Sequence, residues 1–203
     1  VEPSGRRVEP FGDPVGEVPI GNRPLSVWLD EAISTAGFQR LSRLEAPCLV
    51  LPDTLFCTAK SLGEFVIGAA GKNAVLVLKD SRFGRHTTPV QPFVSQTDDG
   101  WRFEKIRWVS GGDEPVTDVV VSPHEKPFDV ELNNPYLRTD KLEFSLTSSP
   151  VMTIHHWVHI LWANQMYGGI ELAAIPKWKI IVRGVWAVLR TMSINKWRVM
   201  GRM

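Results

Sequence analysis

The sequence is poor in cysteine and lacks any long apolar run. Cys48 and Cys57 are the only cysteines among 203 residues. Both stand in apolar surroundings, which predicts two buried, reduced thiols rather than a disulfide or a catalytic thiol. No uninterrupted stretch of 18 apolar residues occurs, so a membrane-spanning helix is not expected. The polar, Pro/Gly-rich N-terminus shows no signal-peptide pattern, and the predicted location is therefore cytoplasmic.

The sequence also lacks a P-loop and a Ser–His–Asp signature. It therefore has no motif typical of a P-loop nucleoside triphosphatase or of a hydrolase with a catalytic serine. What is present suits a globular fold. Apolar residues make up 43% of the chain and eight of them are tryptophan. A chain of this length and composition predicts one domain, with or without an appendage.

Acidic residues are absent after Glu171, although the whole chain has a net charge of only +1. Seven of the 23 basic residues follow that position, which leaves 16 of them against all 22 acidic residues. An acidic body with a basic tail predicts that the tail has an interface or partner of its own. Nucleic acid is not the predicted partner, because the body is acidic and shows no nucleic-acid-binding motif.

Strands and helices alternate in the first part of the chain. Apolar spacing and terminal glycines predict helices over Pro24–Ala36 and Ser61–Ala70. Short apolar runs predict buried strands over Cys48–Leu51 and Ala74–Leu78. This alternation predicts an α/β fold with a mostly parallel sheet.

The second part of the chain has a different pattern. Turn residues between β-branched or alternating segments predict a β-hairpin region, with strands over Pro89–Val94, Trp101–Val109 and Val116–Val121. The polar segment Glu125–Tyr136 is predicted to be a loop. A helix is predicted over Thr153–Met166 and is expected to end at Gly168–Gly169, before a long apolar and basic segment from Lys177 to Met200.

The opening of the chain carries the most specific pattern. It reads G-R-R-V-E-P-F-G-D over Gly5–Asp13 and V-P-I-G-N-R-P-L over Val18–Leu25. This resembles the triphosphate-binding loop of the sugar-1-phosphate nucleotidyltransferases, which runs roughly G-T-R-L-x-P-x-T-D and then K-P-L-L-P-V-G-x-R-P-L. The resemblance implies that Arg7 holds the triphosphate of a nucleotide as the catalytic cation, with Gly5, Arg6 and Asp13 binding substrate.

A second segment, Leu49–Phe56, resembles the strand of the same family that ends in V-L-N-G-D-x-L-F. The resemblance implies that Asp53 binds Mg²⁺ beside the sugar phosphate. Ligands do collect at the carboxyl ends of strands in open α/β sheets, and a carboxylate there can hold Mg²⁺. An aspartate in this place is equally typical of a turn or a helix N-cap, and both readings stay open.

Two departures from the family pattern predict a degenerate and shortened enzyme. The threonine of the loop falls on Arg6 and its lysine falls on Val15, so a cation is missing. Only 22 residues separate Leu25 from Cys48, where relatives place a further strand–helix–strand unit. Activity is therefore predicted to be weakened or lost, with binding of a nucleoside triphosphate or a sugar phosphate retained.

The C-terminal part resembles relatives that continue into a left-handed β-helix. The segment Ile154–Asn164 is similar to their W-D-L-L-x-A-N motif, and the basic, apolar end of the chain is similar to their linker. No hexapeptide repeat is present. The predicted organisation is a reduced, Rossmann-like nucleotidyltransferase domain over residues 1–150 and a helical C-terminal extension over residues 151–203.

Two alternatives concern other chemistry. His155 and His159 have the i, i+4 spacing of a helical zinc pair, but without an acidic third ligand a helix surface or interface is the favoured interpretation. The apolar and tryptophan residues of the basic tail suit peripheral contact with an anionic membrane, or packing on the domain or on another copy of the chain. The competing function is thus a non-catalytic scaffold that docks through this tail, and a homo-oligomer is expected.

Overall fold

The structure is a computed structural model that describes residues 1–41, 43, 45–89, 91–131, 141–174, 178, 182 and 186. It divides into two units, Val1–Gly169 and Ile170–Met203, which are described separately. The predicted domain boundary after residue 150 stays a prediction. Among the described residues, no helix combines the length and the apolar character needed to cross a bilayer.

Four α-helices lie in the described part of the chain. They are α1 (Leu25–Thr35), α2 (Ala59–Ala69), α3 (Arg82–Thr87) and α4 (Trp157–Ala174). The predicted helix over Pro24–Ala36 is confirmed as α1, which buries the face that contains Leu25, Trp28 and Ile33. The predicted helix over Ser61–Ala70 is confirmed as α2.

The strands are mostly short. They are β1 (Arg7–Val8), β2 (Asp13–Pro14), β3 (Pro19–Ile20), β4 (Arg23–Pro24), β5 (Cys48–Val50), β6 (Leu55–Cys57), β7 (Ala74–Lys79), β8 (Val94–Thr97), β9 (Gly100–Val109), β10 (Thr117–Val121), β11 (Glu125–Glu131), β12 (Lys141–Thr147) and β13 (Val151–Thr153). The two predicted buried strands are confirmed as β5 and β7.

The main sheet has the strand order β10-β7-β9-β5, and β8 also pairs with β9. Only β10 and β7 are parallel, whereas β9 runs antiparallel to β7, β5 and β8. A mixed sheet with helices confirms the α/β class. The mostly parallel, Rossmann-like order is not confirmed, because the tight turn at Asp98–Asp99 reverses the chain into β9 and places that antiparallel strand inside the sheet.

The hairpin region differs in detail from its prediction. β8 and β9 form a hairpin, but β8 begins at Val94, where the predicted strand ends. The predicted strand over Val116–Val121 is β10, which joins the sheet in parallel with β7 instead of forming a hairpin. The loop prediction is wrong for Glu125–Glu131, which forms β11 and pairs along its length with β12. Residues 132–136 of that prediction lie outside the described residues.

The helix near the C-terminus begins later and ends later than predicted. Residues Val151–Thr153 pair with β6 as β13, so α4 begins only at Trp157. It continues through Gly168 and Gly169 to Ala174, and these glycines do not end it. The predicted segment Lys177–Met200 lies outside the described residues except for positions 178, 182 and 186.

The core of the first unit lies around β7, β6 and the facing sides of α1 and α2. Both cysteines are buried and free, as predicted. Burial raises the pKa of the Cys57 thiol to about 12, so this thiol is protonated and unreactive at neutral pH.

Candidate functional site

The predicted triphosphate loop folds as a small hairpin. β1 pairs antiparallel with β2, and the Gly12 N–H donates to the Val8 carbonyl oxygen at 2.8 Å. Nη1 of Arg7 donates to the Gly12 carbonyl oxygen at 2.6 Å. Gly5 and Gly12 have φ values of 61° and 75°, a backbone conformation that glycine adopts at little cost. The loop is therefore fixed by its own hydrogen bonds.

Asp53 fastens this loop to the end of β5. Oδ2 of Asp53 accepts a hydrogen bond from the Ser4 N–H at 2.8 Å, and the Asp53 N–H donates to the Glu2 carbonyl oxygen at 3.2 Å. The structure thus brings the predicted site residues Gly5, Arg6 and Asp53 into one region. Asp13 is exposed on β2 and is not among the residues that line the two cavities beside this loop.

The first of these cavities has a volume of about 230 Å³. Its lining includes Arg6, Phe93, Lys105, Thr153 and His155. A wider cavity of about 810 Å³ adjoins it, shares Arg6 and His155 with it, and is lined by Arg7 as well. The two cavities are neighbouring parts of one candidate binding site, referred to below as the cleft.

The cleft occupies a split in the edge of the sheet. β9 pairs with β8 through residues 100–103 and with β5 through residues 107–109. The three residues Glu104–Ile106 lie between these two paired stretches of β9. They have no partner in β7 either, because the consecutive residues Val75 and Leu76 of β7 pair with Arg107 and Phe103. They form a bulge, and Lys105 on this bulge lines the cavity. Bulges of this kind commonly redirect a side chain beside a functional site.

Phe93 is a strained residue of the cavity lining. Its φ of 62° is a left-handed conformation that bulky residues rarely adopt and that costs roughly 1–3 kcal/mol. The Glu104 N–H on the bulge donates to the Phe93 carbonyl oxygen at 3.0 Å and helps to hold it there. The ring remains 44% exposed. Arg6 and Lys105 each place their charge 5.0 Å from the centre of this ring.

His155 contributes a neutral imidazole. Nη1 of Arg6 lies 3.3 Å from Nδ1 of His155. Because a guanidinium can only donate, Nδ1 accepts this bond and the ring proton is on Nε2. Burial lowers the pKa of His155 to about 4, with further lowering by Arg6 and His159 against an opposing effect of Asp53. His155 is therefore uncharged at neutral pH.

His159 does not form the zinc pair that the spacing allowed. His155 precedes α4, and the side chain of His159 is only 1% exposed. Nδ1 of His159 accepts the backbone N–H groups of His155 and His156 at 3.1 and 3.2 Å, and Nε2 lies 3.1 Å from the Pro89 carbonyl oxygen, to which it donates. Burial lowers the pKa of His159 despite the opposing bond to Pro89. With both nitrogens bonded to backbone, His159 acts as a cap for the start of α4.

The Mg²⁺ ion that the resemblance implies does not fit the residues around Asp53. Oδ2 of Asp53 is bonded to Ser4, and only Oδ1, buried without a hydrogen-bond partner, is left to bind a metal. The described part of the chain contains no group of three or more His, Cys, Asp or Glu side chains positioned for a metal ion. Mg²⁺ is usually held by one or two carboxylates together with substrate phosphates. Asp53 lines neither cavity and its remaining oxygen is buried, so a metal ion bound there would not share its coordination with a ligand in the cleft.

The cations of the cleft are not ion-paired in the portion of the chain that is described, although Glu2 lines the first cavity and Glu9 lines the wider one. Within the residues that the structure describes, Arg6, Arg7 and Lys105 take part in no ion pair shorter than 4 Å. Val15, the position of the family's lysine, is 3% exposed and belongs to the core. The cations that line the cleft are therefore Arg6, Arg7 and Lys105, and position 15 contributes no charge.

Comparison with known proteins identifies no relative of this chain. No family model, no curated protein and no solved structure matches it. The likeness to nucleotidyltransferases consequently depends on the sequence motifs alone, and the function is inferred from the geometry of the cleft.

Sequence reasoning missed Phe93 and Lys105, and it considered His155 as a metal ligand or as part of a helix surface or interface. Lys105 lies within a strand of alternating pattern, and no sequence signal marks the bulge that turns it toward the cleft. The left-handed backbone of Phe93 is equally hidden, because that conformation is usually signalled by glycine or asparagine. These three residues enter the site through tertiary structure.

Proposed function

We propose that this protein is nucleotidyltransferase-like and binds a phosphorylated ligand, a nucleotide or a sugar phosphate, in the cleft. The observation that supports this most directly is the placement of Arg6 and Lys105 over the exposed Phe93 ring, each 5.0 Å from its centre. An aromatic surface suits a base or the apolar face of a sugar. Two cations without a carboxylate partner among the described residues suit phosphate.

Further groups around the cleft fit the same ligand. The Nε2–H of the neutral His155 is a hydrogen-bond donor that adds no charge. Arg7 lines the wider cavity, and Gly5 leaves room for a ligand to approach the backbone. The Rossmann-like assignment belongs to this proposal too, and the parallel pair of β7 and β10 is what supports it.

We also propose that transfer activity is weak or absent. Nucleotidyl transfer needs fixed positive charge on the reacting phosphates, and the residues around Asp53 provide a poor metal site. Arg7, the catalytic cation that the resemblance implies, already donates to the Gly12 carbonyl oxygen. The loss of one preorganised charge lowers an enzymatic rate by roughly 10²–10³. This arrangement suits binding better than catalysis.

Thermal unfolding with and without ligand tests the proposal. The common nucleoside triphosphates, nucleotide sugars and sugar phosphates would be scanned in the presence of Mg²⁺ and again in EDTA. A ligand at 100 times its Kd adds about 2.7 kcal/mol to the free energy of unfolding. We expect a clear rise in Tm for one ligand class that persists in EDTA, because the cations here are side chains.

The variant Arg6→Gln/Lys105→Gln should abolish that rise while folding normally. Lys72→Gln is the matched control, since Lys72 is exposed and lines neither cavity of the cleft. If no ligand in the scan stabilises the protein, the proposed binding function is wrong. If the rise requires Mg²⁺ and pyrophosphate is released at an enzymatic rate, the proposal of weak or absent transfer is wrong.

A further inference from the structure

Large apolar side chains are exposed in the second unit. Trp178 is 62% exposed, Val182 is 47% exposed and Trp186 is 67% exposed, and all three have helical backbone. In the sequence they stand four residues apart, a spacing typical of side chains that are neighbours on a helix. Two tryptophans and a valine exposed at such spacing are characteristic of an interaction surface.

The sequence around these three residues has charge of one sign. Between Glu171 and Met203 it contains seven basic residues and no acidic one, namely Lys177, Lys179, Arg183, Arg190, Lys196, Arg198 and Arg202. A segment of this composition attracts an anionic partner. Two copies of the segment carry charge of the same sign, which opposes their pairing.

Tryptophan narrows the choice among anionic partners. Its ring is apolar and its indole N–H is polar, so it is favoured at the headgroup level of a bilayer. Exposed tryptophans in a segment rich in lysine and arginine are typical of segments that lie in a membrane interface. Basic residues next to such a helix add electrostatic attraction to anionic lipid headgroups.

We propose that the protein docks peripherally on the surface of an anionic lipid bilayer through the second unit, with Trp178 and Trp186 entering the headgroup region. The interaction is reversible and depends on both apolar contact and charge. It is independent of ligand binding in the cleft. It would give a nucleotidyltransferase-like protein a location at a membrane surface.

Vesicle flotation of the full chain tests this proposal. The protein would be mixed with vesicles of phosphatidylcholine and phosphatidylglycerol in equal parts, and separately with vesicles of phosphatidylcholine alone. We expect flotation with the anionic vesicles only, and a strong reduction at about 0.5 M salt, where surface charge is screened. The double variant Trp178→Ser/Trp186→Ser should reduce binding roughly tenfold.

Two further variants separate a specific surface from general stickiness. Lys177→Glu/Lys179→Glu should also reduce binding by roughly tenfold or more, and it leaves the tryptophans in place. Ile67→Ser removes an 81% exposed apolar side chain of the first unit and should leave flotation unchanged. Circular dichroism and Tm confirm that each variant folds.

Three results would overturn the proposal. The first is the absence of flotation with anionic vesicles. The second is equal flotation with neutral vesicles, or flotation that neither double variant reduces. The third is a dimer in solution that Trp178→Ser/Trp186→Ser dissociates, because the same face would then be an interface between copies of the chain.

Discussion

The two walls of the cleft use their polar groups in opposite ways. On the wall formed by the N-terminal hairpin, Arg7 donates to the Gly12 carbonyl, and Asp53 behind this wall accepts from the Ser4 N–H. On the wall formed by the β9 bulge, Lys105 has no carboxylate partner among the described residues and Phe93 is strained and exposed. The polar groups named on the first wall hydrogen-bond within the protein and stabilise its fold, whereas Lys105 and Phe93 on the second wall are available to a ligand.

The largest effect should come from disturbing the hairpin that carries the second wall. Gly100 has a φ of 146°, and a Cβ built there would lie 2.1 Å from the Leu78 carbonyl oxygen. Because the obstacle is backbone, Gly100→Ala should destabilise the protein by about 3 kcal/mol or more. Urea unfolding measures the change.

Gly63→Ala is the matched control, because Gly63 lies within α2 with nothing near its added Cβ. This variant should stabilise the protein by about 1 kcal/mol. Equal effects of the two variants would show that the β8–β9 turn does not constrain the second wall.

A smaller effect on the free energy of unfolding should come from the protonation of His155 as pH falls. Its pKa is about 4 in the folded protein and 6.5 when unperturbed, so the unfolded chain binds the proton first as pH falls. The stabilisation from neutral His155 is complete above pH 6.5 and is lost as pH falls toward 4. For a partly exposed group this amounts to about 1–2 kcal/mol after solvent screening.

Comparison of urea unfolding at several pH values for the wild type and His155→Gln isolates this contribution. The difference between the two stability curves should shrink by that amount between pH 6.5 and 4. A constant difference would show that His155 is not the group that titrates.

The sharpest contrast between the walls is Lys105→Gln against Arg7→Gln. Lys105→Gln should weaken binding of the phosphorylated ligand about tenfold, equivalent to about 1.4 kcal/mol, with little change in Tm. Arg7→Gln should instead lower the stability by about 1 kcal/mol, since it removes the hydrogen bond to Gly12, and should affect binding less.

Isothermal titration and thermal unfolding on the same samples measure both quantities. If Arg7→Gln loses more affinity than Lys105→Gln, the roles of the two walls are reversed. The family resemblance would then describe the site better than the bulge geometry does.

The smallest effect on stability is expected at Phe93. Asparagine tolerates a left-handed backbone, so Phe93→Asn should maintain stability or raise it by up to about 1 kcal/mol. Ligand binding should fall, because the ring that Arg6 and Lys105 both approach is lost. A large loss of stability would show that the Phe93 ring is part of the core, contrary to its 44% exposure.

The sequence predicted the parts of the fold that local patterns determine. The spacing of Leu25, Trp28 and Ile33 marks α1, and the apolar run at Ala74 marks β7. It also selected Arg6, which lines the cleft, and Asp53, which lies behind the cleft and bonds to the backbone of Ser4. It did not predict the antiparallel placement of β9 between β7 and β5, because partner choice within a sheet depends on residues far apart in the chain.

The remaining differences arise in the same way. Glu125–Glu131 has a polar sequence with a proline, yet it is held as a strand by pairing with β12, whose first residue Lys141 lies ten positions after Glu131. His155 and His159 have helical spacing, but the preceding residues pair with β6 as β13. The helix α4 therefore begins only after His155. In both places the tertiary pairing outweighs the local pattern.

The bulge at Glu104–Ile106 divides β9 into residues that pair with β7 and three residues that do not. Residues on both sides of it pair with β7, so the ladder resumes its register after three residues that take no part in it. Exchanges at Lys105 can alter what the cleft accepts while the paired residues continue to hold the sheet. Ile106 beside it is fully buried, so exchanges there also lower folding stability. The cleft can therefore diverge in evolution, or be redesigned, at Lys105 with little loss of folding stability.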